Sequence, residues 1–286
     1  MRVALAQIDS ALGQTDQNLK RAAAAVDEAV AGGADLIVFP ELATSGYSLG
    51  QVADSVALPG NDPQLSGLAS RAKGAGVLIG YPEEGNRSIH TYNSAAYLHD
   101  HGGKGNRLLH NHRKLYLPTY DIFEERKHFS PGQQMRAYDT PQGRMATLIC
   151  NDAWQPQLPF LAIQDGAQVL LMPTNSAQSR FPEHYDSATY WSDITAFYAR
   201  MYQCYVVFVN RVGTEGSLRF WGGSHVVDPW GQVVAEAARH EEALVLVDID
   251  LALIRKRRRE VPLVKEARLG VVEREVRRLV EEGGDL

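Results

Sequence analysis

Along the chain, short unbroken apolar runs alternate with stretches in which apolar residues recur at helical spacing. Val3 to Gln7 predicts a strand. Thr15-Asp16 predicts the start of a helix running to about Val30, with Leu19, Ala23, Val26 and Val30 on one face and Gly32-Gly33 as its stop. The run Asp35-Leu36-Ile37-Val38-Phe39-Pro40 has strand length and no polar alternation, the pattern of a sheet covered on both faces. Strand, helix, strand in that order predicts a parallel pair joined by a crossover helix.

The pattern repeats. Val77 to Tyr81, Ser94 to Leu98, Arg107 to His110, Met145 to Cys150, Val169 to Met172, Tyr205 to Asn210, Ser224 to Val227 and Ala243 to Val247 are predicted strands. Pro63 to Lys73, Leu158 to Gln164 and Ser187 to Tyr202 are predicted helices, the last with a stripe of Trp191, Ile194, Tyr198 and Met201 that reads as core or interface. No Pro/Ser linker or fixed repeat interrupts the alternation, so residues 1–286 read as a single α/β domain. After about Leu251 the pattern changes. Arg255-Lys256-Arg257-Arg258-Arg259 is a basic run, and Val271, Val272, Val276 and Leu279 mark an amphipathic helix. This tail reads as a solvated helical face or an arm for oligomer contacts.

Composition narrows the function classes. The 286 residues carry a formal net charge of -5, with 29 Lys plus Arg against 34 Asp plus Glu. A nucleic-acid binder would show a basic excess. No stretch approaches the ~18 consecutive apolar residues of a membrane helix, and the first residues lack a secretory pattern. Two cysteines, Cys150 and Cys204, exclude a disulfide scaffold and a four-cysteine metal site. A reducing cytoplasm fits best, with each thiol either core filler or chemistry; Cys204 reads as core.

Three polar residues each follow an apolar strand: Glu41, Lys114 and Cys150. Reactive groups gather beyond the carboxyl ends of strands in open α/β sheets. Together the three could break an amide. A thiol attacks well only as thiolate, a carboxylate can take its proton, and an ammonium can hold the carboxylate, favour the thiolate and stabilise an oxyanion. The pair His110-x-His112 reads as structural rather than metal-binding, and Gly102 to Gly105 reads as a hairpin tip rather than a phosphate loop.

At this point the sequence resembles the carbon–nitrogen hydrolase family, the nitrilase superfamily, over nearly its whole length. Asp35 to Leu42 with Ser45-Gly46-Tyr47 is similar to the family's glutamate motif, and His112-Arg113-Lys114-Leu115-Tyr116-Leu117-Pro118 to its lysine motif. Phe129-Ser130-Pro131-Gly132 resembles the turn that follows, and Leu148-Ile149-Cys150-Asn151-Asp152 the nucleophile motif. Tyr205 to Gly213 and Gly222-Gly223-Ser224 match later strands and a glycine loop. The resemblance implies a four-layer α-β-β-α sandwich, with Glu41 as general base, Lys114 as electrostatic stabiliser and Cys150 as nucleophile. It maps a second glutamate to Glu125, next to Glu124. It implies no metal, no organic cofactor, and a homodimer or larger homo-oligomer.

Cys150-Asn151-Asp152 differs from the Cys-Trp-Glu of true nitrilases, which favours a small linear amide or N-carbamoyl substrate. The alternatives are a nitrilase, a glutaminase subunit of an NAD synthetase, an acyltransferase, and a catalytically silent binding member. Asn151 is expected to lend its backbone N–H to the oxyanion. The pocket is expected to involve Trp154 and Asn175, with Arg180 or His184 reading a substrate carboxylate.

Overall fold

The computed structural model describes residues 1–100, 102, 107–120, 123–179 and 185–283. In chain order the first half contains β1 (Arg2–Gln7), α1 (Thr15–Ala31), β2 (Leu36–Val38), α2 (Pro63–Arg71), β3 (Gly76–Glu84), β4 (Thr91–Leu98) and β5 (Leu108–Arg113). Next come β6 (Ala137–Thr140), β7 (Gly143–Thr147), α3 (Gln157–Gln164), β8 (Val169–Thr174), α4 (Ser187–Tyr202) and β9 (Tyr205–Asn210). A two-stranded ribbon, β10 (Val212–Glu215) and β11 (Leu218–Trp221), precedes β12 (His225–Val227), β13 (Val233–Glu236) and β14 (Ala243–Asp248). The chain continues through α5 (Ala252–Glu260) and α6 (Leu269–Glu281).

Two six-stranded sheets form, ordered β14-β1-β2-β3-β4-β5 and β13-β12-β9-β8-β7-β6. Each has a parallel centre, β1-β2-β3 in one and β7-β8-β9 in the other, flanked by antiparallel strands. The predicted parallel pairing of β1 with β2 across α1 is present.

Strand periodicity explains the layers. Ala4, Ala6, Ile37, Val77 and Ile79 point out against α1 and α2, while Val3, Leu5, Leu36, Val38 and Leu78 point inward. In the second sheet Leu170, Met172, Val206 and Phe208 face the residues of α3 and α4, and Leu171, Val207 and Val209 face the first sheet. Both faces of both sheets are therefore buried, and the result is the four-layer α-β-β-α sandwich.

Several local expectations are corrected. The helix stripe on α1 is Leu19, Ala22, Val26 and Ala29; Ala23 and Val30 are only partly buried, and no side chain caps its start. The strand expected over Arg107 to His110 runs from Leu108 to Arg113 and delivers Lys114 directly. The strand expected over Met145 to Cys150 ends at Thr147, and Cys150 opens a short 3-10 turn over Cys150–Trp154. The basic run lies on α5 and is anchored. Ile254 is buried, and the Arg258 guanidinium donates to the carbonyls of Ala167 and Tyr202. Cys204 is core, as expected. Most of the supposed hairpin tip, Gly103 to Gly105, lies outside the described residues.

Candidate active site

Strand ends of the two sheets meet beside one pocket, which Cys150 and Asn175 line. Glu41 lies just past β2, Lys114 follows β5, Cys150 begins the turn after β7, and Asn175 follows β8. The approach is close because Gly80 on β3 lies under the Pro40–Leu42 backbone. A Cβ there would meet Leu42 N at 2.4 Å and Pro40 O at 2.5 Å. Cys150 takes a left-handed backbone, φ +46°, which turns a strand-derived residue into the cavity.

The Lys114 ammonium is fully buried and lies 2.7 Å from Glu41 Oε1 and 2.7 Å from Glu125 Oε1. Glu41 Oε1 also accepts from Asn93 Nδ2 at 2.8 Å, and Glu41 Oε2 from the Asn175 backbone N–H at 2.9 Å. The Tyr47 hydroxyl donates to Glu125 Oε1 at 2.6 Å. Glu125 faces inward, whereas its neighbour Glu124 is exposed and pairs with Lys127. The loop carrying Tyr47 is held by the Glu215 carboxylate, which accepts from the N–H groups of Tyr47 and Ser48 and pairs with buried Arg211.

Charge follows from this packing. Burial opposes the Lys114 charge, but the Glu125 and Glu41 carboxylates outweigh it and hold the ammonium well above its usual pKa. Burial lifts Glu125 to about 7 although Lys114 pulls it down; Glu41 adds to the rise. Burial and the Glu41 charge push the Cys150 thiol well up, more than Lys114 lowers it. The resting cysteine therefore keeps its proton. The ammonium does favour the thiolate, as expected, but burial and the two carboxylates facing the sulfur outweigh it.

Cys150 opens onto a cavity of about 360 Å³. Asn151, Trp154 and Asn175 all line it. The Asn151 side chain is committed elsewhere, donating to Tyr116 O at 3.2 Å. Trp154 stacks on Tyr190 at 5.8 Å and meets Tyr185 at 5.9 Å. Asn175 is buried, and both polar atoms of its side chain lack a partner among the described residues, as does Glu125 Oε2. Such atoms are costly unless a bound molecule meets them. Arg180 and His184 lie outside the described residues. Among the described residues no metal-binding cluster forms, His112 pairs with Asp152, and His110 stacks on Tyr138.

Sequence reading missed Asn93 and the aromatic walls of Tyr120, Phe123 and Tyr185. Asn93 carries no strand-end signal: it lies within β4, and only pairing of β4 with β3 and β5 brings it beside Glu41. Tyr47 was visible only as a motif letter.

The family model for carbon-nitrogen hydrolases matches residues 2–259. Over 93% of its length the chain is 32% identical to omega-amidase NIT2 of Mus musculus, covering 95% of that protein. It is 33% identical to the glutamine-dependent NAD(+) synthetase of Thermotoga maritima over 88% of this chain, but spans only 42% of that relative. The amidase of Nesterenkonia sp. AN1, a nitrilase-superfamily protein, superposes with a TM-score of 0.78 at 25% identity, covering 96% of each chain. That structure shows the acetamide moiety of fluoroacetamide added covalently at its active-site cysteine. Family match, full-length relatives and fold agree with the convergence of Glu41, Lys114 and Cys150, and the chain belongs to the carbon-nitrogen hydrolase family.

Proposed function

We propose that this protein is an amidase that cleaves a small linear amide or N-carbamoyl compound through a thioester on Cys150. The observation that carries the reading is the buried Lys114 ammonium gripped by Glu41 and Glu125 beside a cavity-facing cysteine. The full-length likeness to an omega-amidase and to an amidase that forms a cysteine adduct supports it.

The steps follow from the charges. The Cys150 S–H bond breaks as its proton passes to Glu41 and the sulfur bonds to the amide carbon. The carbonyl oxygen becomes an oxyanion, held by Lys114 and by the Asn151 backbone N–H. Collapse restores the carbonyl, breaks the C–N bond, and sends the Glu41 proton onto the departing nitrogen. Ammonia or an amine leaves. A water then gives a proton to Glu41 and its oxygen to the thioester carbon; collapse breaks the C–S bond, releases the acyl group as its acid, and the Glu41 proton returns to the sulfur to re-form the thiol. Glu125 Oε2 and the Asn175 side chain, unpartnered and buried, suit the amide group of the substrate.

The test is intact-mass spectrometry of the protein mixed with a library of amides. The expected result is an acyl adduct on Cys150 with matching released amine, absent in Cys150→Ala. Adducts from nitriles alone would overturn the reading in favour of a nitrilase. A second reading, glutamine as the amide donor, is favoured by the identity with the synthetase and adds one assay, ammonia release from glutamine. Should Arg180 read an acid group, Arg180→Ala raises KM for acidic amides and spares neutral ones. Self-association belongs to the same proposal: α6 carries Leu269, Val272, Val276 and Leu279 exposed along one face, which suits a second copy of the chain.

A further inference from the structure

Asp152 is fully buried behind the nucleophile turn and has no part in the steps above. Its carboxylate joins two segments from different sheets. Oδ1 accepts from the N–H groups of Leu115, at 2.9 Å, and Tyr116, at 3.0 Å, the two residues after Lys114. Oδ2 accepts from Ile149 N at 3.2 Å, the residue before Cys150, and pairs with His112 Nε2 at 2.9 Å. His112 is itself buried and lies two residues before Lys114.

One carboxylate thus ties both flanks of Lys114 to the near flank of Cys150. Apart from the Asn175 N–H bond to Glu41, the inner faces of the sheets pack here through apolar side chains, a contact that is non-directional and sets separations loosely. Hydrogen bonds are directional and set position to tenths of an ångström. Asn151, which bonds Tyr116 O, adds a second stitch between the same segments. The left-handed backbone of Cys150 needs support of this kind, because a non-glycine residue there relaxes unless its surroundings hold it.

We infer that Asp152, oriented by His112, is a positioning residue: it sets Lys114 against Cys150 and holds the cysteine in its productive backbone conformation. The inference rests on the amidase reading for its kinetic test and on none for its chemical one.

Asp152→Asn keeps the shape but loses the charge and one acceptor. Its kcat is expected to fall about 10²-fold with KM held within about threefold, since a displacement of roughly 1 Å costs that much in the chemical step. His112→Leu is expected to lose about tenfold in kcat, and His112→Gln, which retains an N–H donor, to recover most of it. A kcat for Asp152→Asn within threefold of the parent, a rise confined to KM, or a Gln variant no better than the Leu variant overturns the inference. Where Asp152→Asn fails to fold, the two His112 variants decide. Labelling of Cys150 by iodoacetamide needs no amide. Its rate is expected to change about threefold or more in Asp152→Asn, and a smaller change overturns the inference. If the parent cleaves no amide, the amidase reading fails while the labelling still decides the role of Asp152.

Discussion

A lysine ammonium buried between two carboxylates and the carboxylates themselves are each tolerable only with the opposite charge beside them. Lys114→Ala would leave Glu41 and Glu125 facing each other without a cation. The expected cost is about 3–5 kcal/mol of stability, read from the urea midpoint, together with loss of amidase activity. Glu125 gives a signed pH effect. Its folded pKa of about 7 lies above the ordinary 4.5, so between those values the folded protein binds the extra proton. This contribution to stability is present below the lower value and is lost as pH rises through the upper one. Unfolding of the parent at about pH 5 and about pH 8 should show that fall, and Glu125→Gln should remove it; an identical slope in both proteins would contradict it. The residue types and their order along the chain were readable because each ends an apolar run. The direction of the cysteine's shift was not, since it depends first on burial and then on two carboxylates supplied by other segments.

Strands and turns decide where those residues arrive. Gly80 lies within β3 and owes its place to the backbone of Pro40 to Leu42 pressed against it. Gly80→Ala should therefore push Glu41 off Lys114, costing about 1–3 kcal/mol of stability by overpacking and most of kcat. A variant with unchanged kcat would show that the loop has room to shift. Apolar runs located β1, β2, β8 and β9 within a residue or two, because a strand buried on both faces leaves little else in its sequence. They misplaced the end at Thr147, since Leu148, Ile149 and Cys150 continue the apolar pattern while the backbone leaves the sheet. The short outer strands β6 and β13 and the ribbon β10–β11 were not foreseen, being mostly half-polar and brief.

At the level of the molecule, two parallel-centred sheets stacked face to face put the ends of β2 and β5 opposite those of β7 and β8. No helix among the described residues is long and apolar enough to cross a membrane. The chain beyond β14 divides into α5, docked through Ile254 and Arg258, and α6, with no buried residue. On the self-association proposed above, ending the chain before Leu269 should leave the fold and the Cys150 adduct intact and reduce the number of copies per particle in solution. An unchanged number of copies by light scattering would rule α6 out as the contact.

Apolar patterning and the words around Glu41, Lys114 and Cys150 were enough to determine the family and the layered α/β class. These depend on local runs and on which residue ends each run. Glu125, which the resemblance had singled out over Glu124, is the glutamate that turns inward; tertiary structure alone decided that Asn93 and Tyr47 complete the polar cluster, and that Asp152 joins the two sheets behind it. Those contacts join residues 11 to 78 positions apart. A one-dimensional pattern holds no record of such separations until burial forces each polar atom to find its partner.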